Sequence, residues 1–113
     1  MVYCSIEEVR DLTGLTDLEL NDNQLEEIIL NAEHLVNSET GKPEGWEPAN
    51  PQYPLIQTAA KFCAAALCYD ALPETDETRG KGERYRSQAE EILKHLRSLV
   101  VVSSKYEHLE EDS

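Results

Sequence analysis

The chain has 113 residues, of which 40% are hydrophobic, with one Phe and one Trp. That allows one domain around a modest core of Leu, Ile, Val and Ala, which suits packed helices; the apolar share is slightly low, leaving surface for a partner to complete. The net charge of −13 argues against a simple phosphate-binding protein, which needs clustered Lys and Arg, and against docking on anionic lipid.

The first predicted element starts at Ser5. Ser5 and Glu8 form a capping-box pattern, in which each side chain can satisfy the other's backbone donor. A short helix over Ile6–Leu12 follows, and Gly14 is placed to stop it. The second element is capped by Asn21, Asp22 or Asn23, with acids in its first turns, where the helix dipole favours them. Leu25, Ile28, Ile29, Ala32, Leu35 and Val36 recur at spacings of three and four, one apolar stripe on a helix of about 18 residues. Gly41 ends it. Residues 42–54 hold Pro43, Pro48, Pro51 and Pro54 with Trp46 and Tyr53, an ordered loop and not a flexible linker. Trp46 either pins that loop to the helices or stacks on a ligand.

Pro54 suits the first turn of a third helix, which runs through "LIQTAAKFCAAALCYDAL" to Leu72 before Pro73. Apolar residues lie on most of its faces and its alanines allow close approach, so it is the central helix or one buried partly by another subunit. "PETDETRGKG" reads as an exposed turn. A fourth helix covers Glu83–Leu99, with Tyr85, Ala89, Ile92, Leu93, Leu96 and Leu99 or Val100 inward. The β-branched run "LVVVSS" predicts an end to that helix in an extended segment, and the tail "KYEHLEEDS" is acidic and expected to be mobile. The fold class is therefore all-α: a short N-terminal helix plus three longer ones, with a mobile C-terminal segment.

Charge is segregated along the chain. Residues 1–40 carry ten acids and one base, Arg10, whereas residues 79–97 carry six bases and three acids. This reads either as solvated faces with intrachain ion pairs, or as a head-to-tail interface in which the basic helix of one copy meets the acidic helix of the next. The candidates for such an interface are Arg79, Lys81, Arg84 and Arg86 on one side and Glu26, Glu27 and Glu33 on the other.

Chemistry-bearing patterns are sparse. Cys4, Cys63 and Cys68 are odd in number and outside any CxxC spacing, so small buried thiols in a reducing compartment are expected. The start of the chain lacks the basic and apolar regions of a signal peptide, and no apolar run reaches transmembrane length, so cytoplasmic synthesis and residence without a membrane are expected. Gly80-Lys81-Gly82 lacks the context of a phosphate loop, and no nucleophile elbow or HExxH pattern occurs. His34, His95 and His108 lie on separate elements. Helical nucleotide pyrophosphohydrolases hold Mg²⁺ with ExxE and ExxD pairs; Glu8/Asp11 and Glu19/Asp22 have that spacing, but one pair is on a short helix and the other in a loop. No catalytic, cofactor or metal site is expected, and the chain reads as a non-enzyme.

Four stretches together resemble the head–tail connector, or head-completion adaptor, family of tailed bacteriophages and prophages: "YCSIEEVRDLTGL", "LNDNQLEEIILNAEHLVNSETGK", "YPLIQTAAKFCAAALCYDAL" and "GERYRSQAEEILKHL". The likeness lies in the order, lengths and caps of the elements over residues 2–100; the Trp46 loop and the ending "EHLEEDS" depart from it. The resemblance implies one connector-like helical domain over residues 1–100 and an extended acidic tail over 101–113. It implies a structural subunit of a homo-oligomeric ring at the head–tail junction of the virion, present in the host cytoplasm before assembly. Such a ring docks under the portal protein, extends the channel for passing DNA without reading its sequence, and offers a platform to the downstream tail or stopper protein. It also implies that a terminal segment, here Val100, Val101, Val102 and Tyr106, docks on a neighbour or the portal. Other readings are a helical adaptor that binds one protein partner through the Ala-rich helix, and a small nucleic-acid-binding bundle using Arg79, Lys81, Arg84, Arg86, Lys94 and Arg97.

Overall fold

Ser5 opens the first helix as the capping box requires: its hydroxyl accepts from the Glu8 N–H, and the Glu8 carboxylate accepts from the Ser5 N–H. The computed structural model describes the backbone of residues 3–112 and the side chains of residues 3–99. Helix α1 spans Ile6–Thr13 and ends at Gly14, whose φ of 76° is the left-handed conformation glycine adopts without strain. Helix α2 spans Asp22–Glu39 behind a second capping box, between Asn21 and Gln24. Helix α3 spans Tyr53–Asp70 with Pro54 in its first turn, where a missing N–H costs nothing. All three match the expected elements to within two residues. The chain is all-α, with no strand among the described residues.

The fourth helix departs from expectation at both ends. Helix α4 spans Asp76–Asp112, beginning seven residues before the expected Glu83. Its start is capped in trade between two threonines: the Thr75 hydroxyl accepts from the Thr78 N–H at 3.1 Å, and the Thr78 hydroxyl accepts from the Thr75 N–H at 2.9 Å. Asp76 and Glu77 then sit where the helix dipole favours acids. Gly80 and Gly82, in the stretch expected to be an exposed turn, both lie inside the helix. At Gly82 a Cβ would sit 3.3 Å from the Tyr69 Cβ, so the absent side chain is what lets α4 close on α3. At the other end, the helical backbone runs on to Asp112, past the expected helix end at Leu99. No Pro or Gly follows Gly82, and the few tenths of a kcal/mol that each Val costs in a helix do not stop one already running. The side chains of Val100, Val101, Val102 and Tyr106 lie outside the described residues, as does His108. A 37-residue helix is about 55 Å long at 1.5 Å per residue, and it sets the long dimension of the molecule, 59 Å.

Helix α3 is the centre of the bundle. It packs on α4 along one flank and on α2 along the other, while α2 and α4 barely meet. Its Ala59, Ala60, Ala64, Ala65 and Ala66 are buried, and these small side chains allow the close helix approach the sequence suggested. Leu25, Ile29, Ala32 and Val36 of α2 and Leu93 and Leu96 of α4 complete the core with Ile56 and Cys68. One expected core residue turns outward, Leu35, which is 43% exposed; of the alternatives Leu99 and Val100, Leu99 is 38% exposed and the Val100 side chain lies outside the described residues. Helix α1 is tied across the bundle by tyrosines. The Tyr69 hydroxyl donates to the Thr13 carbonyl and the Tyr85 hydroxyl to the Leu12 carbonyl, each at 3.1 Å, satisfying acceptors that the end of α1 leaves open. Tyr85 stacks between Tyr69 and Phe62, with ring centroids 5.9 and 6.1 Å apart.

Candidate functional site

The residues singled out by charge lie on three helices, and the fold neutralises most of the bases locally. Arg79 pairs with Glu74 at 2.9 Å and with Asp76 at 3.8 Å, and Lys81 pairs with Glu77 one turn earlier at 3.1 Å. Arg86 reaches across to Asp70 of α3, and Arg97 to Glu39 of α2 at 2.7 Å. Only Arg84 and Lys94 of the basic stretch are exposed without an ion pair among the described residues. Arg79, Lys81 and Arg86 therefore carry far less free charge than a count along the chain suggests.

The acidic side is sorted in the same way. Glu26 and Glu27 stand exposed on α2 without an ion pair among the described residues. Glu33 turns inward: its Oε2 is buried and has no hydrogen-bond partner among the described residues, and its charge helps to raise the Tyr3 hydroxyl and Cys4 thiol pKa values, behind the larger effect of their burial. Three of the four acids with hydrolase-like spacing are engaged in local structure, while Asp11 is exposed. Glu8 caps α1, Glu19 accepts from the Thr16 N–H and hydroxyl, and Asp22 accepts from Arg10 at 2.8 Å.

Trp46 settles as a pin for its loop. It is buried, its indole N–H donates to the Thr40 hydroxyl at 2.9 Å, and its backbone N–H donates to the Tyr3 hydroxyl at 2.8 Å. Tyr3 in turn donates to Asn37. The Lys42 ammonium lies 4.6 Å from the ring centroid, a cation–π contact that occupies one ring face.

One cleft lies over α3 where α2 and α4 diverge. It encloses about 300 Å³, with Cys63, Ala66 and Leu67 of α3 as its floor and Leu35, Ala89 and Leu93 along its sides. The Arg86–Asp70 and Arg97–Glu39 ion pairs lie along it. The Cys63 thiol is partly accessible there, but burial pushes its pKa up to about 11; burial likewise raises Cys68 to about 11 and Cys4 to about 12. At neutral pH all three are thiols, not the thiolates that attack electrophiles or bind metals. His34 and His95 are exposed on separate helices. Among the described residues no group of three or more His, Cys, Asp or Glu could hold a metal ion, and no helix is long and apolar enough to cross a membrane. No family model, curated protein or solved structure matches the chain.

Proposed function

We propose that this chain is a self-associating structural subunit of the head–tail connector kind. In this reading, copies form a ring that docks under a portal protein, lengthens a DNA channel and receives a tail-proximal protein. The observation that carries it is the unneutralised acidity of α1. Glu7, Glu8 and Asp11 are exposed, and the one base of this helix, Arg10, is consumed by Asp17 and Asp22. A wall of this kind repels phosphate and lets DNA pass without adhering. The order and caps of the helices, which prompted the resemblance, support the same reading.

The test is assembly. Purified full-length chain should form rings at high concentration or on a portal, seen by negative-stain electron microscopy and light scattering. A chain that stays monomeric under all such conditions and ignores portals sinks the proposal. The cleft over α3 favours a second reading, a helical adaptor that takes one segment of a single protein partner against the Ala-rich helix. A one-to-one complex of fixed stoichiometry, with no self-assembly, selects it.

A further inference from the structure

Both α2 and α4 pack on α3 and touch each other little, so each has an outer face turned away from its own buried stripe. On α2, Glu26, Glu27 and Leu30 fall within about 100° of one another around the helix axis, and about 140° from the buried stripe of Leu25, Ile29, Ala32 and Val36. On α4, Arg84, Ser87, Glu91, Lys94 and Ser98 fall within about 80°, and about 170° from buried Gly82, Ala89, Leu93 and Leu96. All eight outer-face residues are exposed. Leu30 is 48% exposed, an apolar surface flanked by the carboxylates of Glu26 and Glu27. The α4 edge carries the two free cations of the basic stretch, Arg84 and Lys94.

We infer that the α2 edge of one copy docks on the α4 edge of the next, Glu26 and Glu27 meeting Arg84 and Lys94. This rests on the self-assembly reading above and names its contact. Complementary charge supplies register and orientation, and the aliphatic stems of Arg84 and Lys94 offer apolar surface for Leu30 to cover. The two edges are unlike surfaces on different helices. Such a contact is heterologous: each copy keeps one edge free for the next, and the series ends only when a ring closes. Arg79, Lys81, Arg86 and Glu33 take no part, since each is committed within its own subunit or turned inward.

Charge exchange in the full-length chain tests the contact. Glu27→Lys alone and Lys94→Glu alone should each weaken self-association roughly tenfold or more at low salt, because each sets like charges face to face. Mixed in equal amounts, the two variants should recover assembly, since alternating copies then match at every contact; Glu27→Lys/Lys94→Glu in one chain should recover it too. Sedimentation and light scattering read the association, and circular dichroism confirms that each variant stays helical. If both single variants assemble like the unaltered chain, or if mixing restores nothing, the edge contact is wrong while assembly stands. If the unaltered chain never assembles, the fault lies in the self-assembly reading itself.

Discussion

The two ends of α2 are secured by opposite kinds of chemistry. At its start, the Arg10 guanidinium gathers the loop: it donates to Asp17 and Asp22 at 2.8 Å each, to the Leu20 carbonyl at 3.0 Å and to the Leu15 carbonyl at 3.4 Å. Both carboxylates are largely open to solvent. At its end, Tyr3, Asn37, Thr40 and Trp46 form a buried network without a formal charge. The ionic clamp works in high dielectric and is screened by salt, whereas the neutral network works in low dielectric, where a lost partner is expensive. Stability should therefore depend on the second end and salt sensitivity on the first.

The largest effect should come from Trp46→Ala. It removes a buried aromatic and the indole hydrogen bond to Thr40, and should cost about 3–5 kcal/mol in urea unfolding, nearly independent of salt. Tyr3→Phe keeps the ring but leaves Asn37 Oδ1 and the Trp46 N–H without a partner, so a loss of about 1–3 kcal/mol is expected. A loss well below that range would mean the loop holds by packing alone. Arg10→Ala should lower the urea midpoint less than either, and the deficit should shrink as NaCl is raised. An unchanged deficit at high salt would assign the clamp to its two carbonyl acceptors instead of its carboxylates.

The smallest effect concerns pH at the same loop. The Thr16 hydroxyl, then the Thr16 N–H, hold the Glu19 carboxyl below the ordinary glutamate range. A folded pKa below the unfolded one contributes stability above the unfolded value and loses it as pH falls through the folded one. Stability should thus decline below about pH 4, and Glu19→Gln should flatten that part of the profile in denaturation curves taken from pH 6 to pH 2. If the variant declines as steeply as the parent, other carboxylates govern acid unfolding.

Much of the fold was legible because its signals are local. A capping box is complete within four residues, so Ser5-x-x-Glu8 and Asn21-x-x-Gln24 mark helix starts without reference to the rest of the chain. The start of α4 was missed for the complementary reason. Thr75-x-x-Thr78 caps it in the manner of Ser and Glu, but that two glycines lie inside a helix depends on Tyr69 of α3 approaching Gly82. Beyond Leu99 the β-branched run continues as helical backbone, since it holds no Pro or Gly to stop a helix.

The candidate surface was less legible. Charge along the chain separates acids from bases, and Glu26, Glu27 and Arg84 make no ion pair among the described residues. Pairing is a matter of three-dimensional distance, however. Asp70 and Glu39 lie 16 and 58 residues from the arginines they neutralise, beyond any spacing rule. Lys94 and Leu30, which the edge contact requires, drew no attention as interface residues, because only the position of α3 between two helices shows which faces point outward.

Composition, caps and apolar periodicity by themselves determined an acidic, all-helical chain of four helices with an Ala-rich central one, since those preferences act over a turn or two. Only the tertiary structure decided which charges remain free, where α4 begins, and that Trp46 is a pin. Each of those depends on what a distant segment brings within a few ångströms, and burial and ion pairing are set by that distance and not by order along the chain.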